Sequence, residues 1–233
     1  MYFALQVCSY LVWLPLEILA LIAILRGGVR RHPFVFAYLI TSFLTAVMEM
    51  PISFDYLQHN RPQRSAFLSL YWADEGIREV LIFAVVINLI YRTTANLESR
   101  RIARLLLVAG SILFVAISFL VHYDSKAFIG VWITPWTRDL KFCSAVLDMA
   151  LWALLISSRK KDQTLLMLAG GMGIMFAGEA IGESIRSISL SQSSTFLARF
   201  GGVVGLVADF AFLYIWWQAL RREPRPAKKA VVV

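Results

Sequence analysis

The sequence predicts an all-α protein that crosses a membrane with seven helices. Of its 233 residues, 59% are hydrophobic and only 16% are charged. The mean hydropathy is +0.67, well above that of an ordinary soluble domain. Runs of about 20 apolar residues recur along the chain, and each is long enough to cross a hydrocarbon core of roughly 30 Å as a helix. Because the bilayer core offers no water to unpaired backbone groups, such runs must be helical.

The apolar runs define the predicted domain organisation. Seven runs cover residues of about 3–25, 34–54, 69–91, 103–122, 134–157, 164–189 and 199–220. The loops between them are short, so no segment remains that is long enough to form a soluble domain. We therefore expect a single transmembrane domain over residues 1–222 and a short, basic, disordered tail over residues 223–233.

The basic residues predict the orientation of the chain. Fifteen of the 23 Lys and Arg residues lie at every second end of the predicted helices. They are Arg26, Arg30, Arg31, Arg92, Arg100, Arg101, Arg104, Arg159, Lys160, Lys161, Arg221, Arg222, Arg225, Lys228 and Lys229. This asymmetry predicts an external N-terminus and a cytoplasmic C-terminus in a plasma or inner membrane. It also accounts for the net charge of +8 without a nucleic-acid partner, and it suits contact with anionic lipid.

Acidic residues are unusually frequent within the predicted helices. Ten of the fifteen Asp and Glu residues lie in or at the ends of these helices, together with only four basic residues. An ionised side chain near the bilayer centre costs about 2.5–3.5 kcal/mol. Ten unpaired acids would therefore cost tens of kcal/mol in total. They must face one another, the four basic residues, water or a bound ion.

The spacing of these charges predicts one shared polar chamber in the outer half of the bundle. Glu75, Arg78 and Glu79 share a helix face, as do residues 179, 183 and 186. The fourth helix has no internal charge, so we expect it to be peripheral while the other six surround the chamber. The predicted ligand, ion or proton site comprises Glu17, Glu49, Glu75, Arg78, Glu79, Arg138, Lys141, Asp148, Glu179, Glu183, Arg186 and Asp209.

No motif predicts a cofactor or a catalytic residue. The seventh predicted helix has no lysine, and retinal proteins require one there for the Schiff base. Cys8 and Cys143 form no CxxC motif, and no span contains the HxxxH pair of intramembrane zinc hydrolases. A hard cation with oxygen ligands fits the acidic composition better than zinc. No pattern in the sequence indicates an oligomeric state.

The charges also suggest an internal repeat. Shifting the chain by 130 residues places Glu49 on Glu179 and Glu79 on Asp209. Helices one to three would then be a parallel copy of helices five to seven, with the fourth as a linker. This topology resembles that of the sugar-transporting SWEET proteins, although the proline–glutamine motif of that family is missing at the matching helix positions. The repeat predicts that each of these acid pairs superposes to within a helix turn.

Three classes of function remain open from the sequence. The excess of acids favours a small-molecule or ion transporter coupled to protons or cations. The alternative is a seven-helix receptor whose outer pocket, lined by Tyr71, Trp72 and Trp136, captures a small polar ligand. A further alternative is an intramembrane lipid-modifying enzyme with paired carboxylates, or a structural membrane subunit whose charges form ion pairs.

Overall fold

The protein folds into seven α-helices within the residues described by the computed structural model, which are 2–58, 64–94, 100–157, 162–192 and 195–222. The predicted all-α fold with seven helices is confirmed. The helices are α1 (Tyr2–Leu25), α2 (Pro33–Gln58), α3 (Arg64–Thr93), α4 (Arg100–His122), α5 (Ile129–Ser157), α6 (Gln163–Gln192) and α7 (Thr195–Arg221). The predicted tail, residues 223–233, lies outside the described residues.

Five helices are long and apolar enough to cross a membrane, so the chain is a multi-pass membrane protein. The candidate spans are Pro33–Pro51, Arg104–His122, Ile129–Ser157, Gln163–Ile188 and Arg199–Arg221. α1 contributes a shorter apolar stretch, Tyr10–Leu25. α3 falls short of the composition of a span because it holds a cluster of charges over residues 74–79. Several helices extend beyond the predicted apolar runs, since hydropathy marks only the part that lies in hydrocarbon.

Six helices form a closed ring in the order α1, α2, α3, α5, α6 and α7, with α7 packing back on α1. The α6–α7 pair has the most extensive interface. α4 packs outside the ring, on α3 and α5. Only 6% of its span is buried within the molecule, against 50% of the span in α6. The expectation of a peripheral fourth helix is therefore confirmed.

Helices consecutive in the chain run in opposite directions, so the loops α1–α2, α3–α4 and α5–α6 lie at one end of the bundle. Arg31 in the α1–α2 loop lies 3.4 Å from Asp162 at the start of α6. Arg92, at the end of α3, donates to the carbonyl oxygen of Arg31 at 2.5 Å. Arg104 in the first turns of α4 donates to the carbonyl oxygen of Tyr91 at 3.1 Å. We call this end the basic end and the opposite one the far end.

The apolar core fills the half of the ring next to the basic end. It contains the fully buried side chains of Leu39, Leu89, Leu168 and Met172. Trp216 packs beside them and donates from Nε1 to the carbonyl oxygen of Leu168 at 2.9 Å, which satisfies its one polar atom. This half of the ring is therefore sealed, whereas polar side chains accumulate from mid-depth towards the far end.

Candidate functional site

Lys141 of α5 lies among three carboxylates from two neighbouring helices. Its Nζ is 3.4 Å from Glu75 Oε1, 3.6 Å from Glu79 Oε1 and 3.4 Å from Glu179 Oε2. All four residues lie within about four residues of the midpoints of their helices, which places the group near mid-depth of the bundle. We call this group the Lys141 cluster.

A polar cleft leads from the far end to the Lys141 cluster. It has a volume of about 540 Å³ and lies between α5 and α6. Its lining runs from Ala145 and Phe176 at mid-depth to Thr134 and Ser187 towards the far end. Hydroxyl groups line much of its length, and the predicted site residues Arg138 and Glu183 lie exposed at its rim. The Lys141 cluster therefore borders the part of this cleft that lies nearest mid-depth.

A second, smaller cavity of about 240 Å³ lies between α1, α2, α3 and α7. Arg78 lines it, with Nε placed 2.8 Å from Asp74 Oδ2 one turn away. Glu49 and Asp209 line the same cavity. Ser42, also in the lining, donates to Glu17 Oε1 at 2.5 Å. We call this space the Arg78 cavity.

The prediction of one shared chamber needs correction, because the structure divides the charges between these two cavities. Arg78 and Glu79 are consecutive on α3, so their side chains leave the helix about 100° apart and serve different cavities. Glu75, Glu79, Arg138, Lys141, Glu179 and Glu183 belong to the Lys141 cluster and its cleft, while Glu17, Glu49, Arg78 and Asp209 belong to the Arg78 cavity.

Four predicted site residues line neither cavity. Glu17 and Glu79 contact lining residues, Ser42 and Lys141, whereas Asp148 and Arg186 lie elsewhere. Asp148 is 2% exposed, and its Oδ2 would lie 3.3 Å from a Cβ added at Gly173 of α6. α5 and α6 are thus close together at Asp148 and diverge towards the far end, which is why Asp148 is buried while Lys141 borders the cleft. Arg186 packs across α7 instead, where its Cγ would lie 3.1 Å from a Cβ added at Gly201.

Several buried carboxylates are only partly satisfied. One oxygen of each has no hydrogen-bond partner among the described residues: Glu17 Oε2, Glu49 Oε1, Asp74 Oδ1, Glu79 Oε2 and Asp148 Oδ1. An unpaired ionised oxygen is costly to bury, so protons or a bound cation would satisfy these atoms. Within the described ranges, no three His, Cys, Asp or Glu side chains are arranged to hold a metal ion.

Two residues that contact charged groups in the Arg78 cavity, Asp74 and Ser42, were not predicted from the sequence. Asp74 is absent from the predicted site, although its i, i+4 spacing to Arg78 is a recognisable signal for pairing. Ser42 carries no charge and follows no motif. Only the packing of α1 against α2 shows that its hydroxyl group contacts Glu17.

Comparison with known proteins found no family model, no curated protein and no solved structure that matches this chain. The chemistry of the site must therefore carry any functional argument. The structure as a whole identifies the chain as a helical, multi-pass membrane protein with a seven-helix bundle.

Proposed function

We propose that this protein is a transporter-like carrier that binds protons or a small cation at the Lys141 cluster. The observation that carries the proposal is the placement of one ammonium group within 3.6 Å of three carboxylates near mid-depth. A site built in this way suits a cation of similar size and charge. The ammonium group of Lys141 then occupies this site as a cation fixed to the protein. A free cation can displace it from the carboxylates or bind beside it.

The charge balance of the cluster supports exchange rather than a fixed ion pair. Three carboxylates face one ammonium group, and like charges in a site of low dielectric constant cannot all remain ionised. Additional protons or a second cation must compensate the excess. Ionisable groups that change their occupancy inside a membrane are typical of proton relays and coupled carriers.

Access to the cluster from one end also fits a carrier. The cleft leads from mid-depth towards the far end, while apolar side chains seal the basic half. Binding near mid-depth with one side closed corresponds to one state of an alternating-access cycle. With the N-terminus outside, as the basic residues predict, this state would face the exterior.

We also propose that α1–α3 and α5–α7 are parallel repeats. The ring consists of α1, α2 and α3 followed by α5, α6 and α7, so each helix of the first set has the same kind of neighbours as its counterpart in the second. A parallel repeat requires this arrangement. Glu17 contacts Ser42 on the next helix, and Asp148 approaches Gly173 on the next helix. Asp148 lies 131 residues after Glu17, and Gly173 lies 131 residues after Ser42. This shift differs by one residue from the 130 that aligns the other acids.

Ion flux into liposomes tests the transport proposal. We expect the reconstituted protein to move protons when a gradient of sodium, potassium or methylammonium is imposed, as followed by an internal pH dye. Glu179→Gln removes one carboxylate of the cluster and should lower the rate at least tenfold. Asp124→Asn changes a loop carboxylate away from both cavities and should leave the rate unchanged. Equal rates for wild type and Glu179→Gln, or no flux with any of these cations, would contradict the proposal.

A thermal-stability measurement on Lys141→Gln distinguishes a cation site from a purely structural ion pair. Removing the ammonium group leaves the charges of the three carboxylates uncompensated, so the variant should melt below the wild type at low salt. The three remaining carboxylates should then bind an added cation, which restores stability by mass action. If no cation raises the melting temperature of the variant more than that of the wild type, the cluster is structural only.

A further inference from the structure

A large apolar groove separates α4 from α3. Its volume is about 710 Å³, and its walls include Val80, Ala84 and Ile87 of α3 and Ile112 and Ala116 of α4. The groove is distinct from the two polar cavities, which lie on the other side of α3. α4 is therefore not packed closely against the ring along its middle.

Contacts at both ends of α4 hold it across this groove. At the far end, Ser118 donates to Asp139 Oδ2 of α5 at 2.7 Å, and His122 Nε2 lies 3.0 Å from the same oxygen. At the basic end, Arg104 stacks on the ring of Tyr91 at 4.0 Å from its centroid. With both ends attached, the groove between them is a feature of the folded protein rather than a consequence of a detached helix.

Positive charge is concentrated where the groove reaches the basic end. α4 begins with Arg100, Arg101 and Arg104, and its first turn contains no acidic residue. A helix N-terminus already carries partial positive charge, and the guanidinium groups of Arg101 and Arg104 add to it. An anionic group at this position would be attracted by the arginine side chains and by the positive end of the helix dipole.

A polar side chain inside the groove lies below these arginines. Asn88 lines the groove about one helical turn deeper than Tyr91. Its amide group has no hydrogen-bond partner among the described residues. An acceptor such as an ester carbonyl oxygen, located about 5 Å below an anionic group, would satisfy it.

The length of the groove matches one leaflet of a bilayer. Its lining extends from Val80 to Tyr91 on α3 and from Val108 to Phe119 on α4. Eleven residues at 1.5 Å each give about 16 Å, close to half of a hydrocarbon core of roughly 30 Å. We propose that the α3–α4 groove binds one anionic glycerophospholipid, with its phosphate at Arg101 and Arg104, an ester carbonyl at Asn88 and one acyl chain in the groove.

Native mass spectrometry of the purified protein tests this proposal. After delipidation, phosphatidylglycerol and phosphatidylcholine with the same acyl chains are added separately. We expect one phosphatidylglycerol molecule to remain bound per chain and to raise the melting temperature, with about tenfold weaker retention of phosphatidylcholine. Arg101→Gln should reduce this headgroup preference, because it removes an exposed charge from the mouth of the groove.

Filling the groove provides the decisive control. Ala84→Phe, or Ala116→Phe if the first variant does not fold, should abolish retention of phosphatidylglycerol. The Leu113 side chain is 60% exposed and does not line the groove, so Leu113→Phe should still retain phosphatidylglycerol. Equal retention of both lipids by the wild type, or undiminished retention by a folded groove-filling variant, overturns the proposal. Retention of an apolar molecule that lacks a phosphate would overturn it as well.

Discussion

Lys141 and Asp148 lie two helical turns apart on α5, yet their surroundings differ completely. Lys141 contacts three carboxylates at the deep end of a cleft. Asp148 is buried against α6, and its Oδ1 has no hydrogen-bond partner among the described residues. Their similar position on the helix face predicted a shared role. The divergence of α5 from α6 between them separates a candidate binding residue from a buried carboxyl group.

His32 makes the stability of the basic end dependent on pH. Burial and the neighbouring guanidinium groups of Arg92 and Arg31, opposed by Asp162, lower the pKa of His32 from 6.5 to about 4. Arg92 Nη1 lies 2.8 Å from His32 Nδ1, which suits a neutral ring that accepts a hydrogen bond. The stabilising contribution is complete above about pH 6.5 and is lost as the pH falls towards 4, by at most about 1.4 kcal/mol per pH unit.

Melting curves between pH 4 and 7.5 test this dependence. His32→Asn cannot gain the proton, so its melting temperature should fall less between pH 6.5 and pH 4 than that of the wild type. The acidic residues titrate in both proteins, and the difference between the two curves therefore isolates His32. Parallel curves over this range would show that His32 is not the responsible group.

At the level of helices, glycines permit the close α6–α7 interface. A Cβ added at Gly182 would lie 2.7 Å from the carbonyl oxygen of Gly201, closer than real Cβ contacts allow. That oxygen belongs to the backbone and cannot rotate away as a side chain would. Gly182→Ala should therefore force the helices apart and destabilise the protein by about 1–3 kcal/mol, measured as a lower melting temperature.

Gly202 on α7, the partner helix of this interface, offers a matched control. A Cβ added at Gly202 meets nothing within 4 Å, so Gly202→Ala should leave the melting temperature unchanged or raise it slightly through higher helix propensity. Equal destabilisation by both substitutions would indicate that general helix effects, rather than close packing at Gly182, control the stability of this pair.

At the level of the whole molecule, the basic end is predicted to face the cytoplasm. Two exposed loop residues report on this orientation in a variant without Cys8 and Cys143: Ser125, between α4 and α5, and Arg30, between α1 and α2. In intact cells, a membrane-impermeant maleimide should label Ser125→Cys and not Arg30→Cys. The opposite pattern of labelling would place the basic end outside and reverse the proposed direction of access.

Most of the architecture followed from composition and hydropathy. The seven helices and the peripheral position of α4 were predictable because lipid requires satisfied backbones and apolar surfaces. The charged cluster of α3 marked a functional candidate for the same reason, since Glu75, Arg78 and Glu79 would be too costly to expose to lipid. These properties depend on the local sequence and its solvent, so a linear pattern is sufficient to predict them.

Tertiary packing alone decided which charges meet. Helical spacing placed Arg78 beside Glu79 and Lys141 above Asp148, but it did not specify which neighbour each side chain would face. The ring order assigns Glu79 to Lys141 and Arg78 to a separate cavity, and it brings the uncharged Ser42 to Glu17. The rotation and separation of packed helices arise from contacts distant in sequence, so the division into two polar cavities and an apolar groove emerged only in the folded structure.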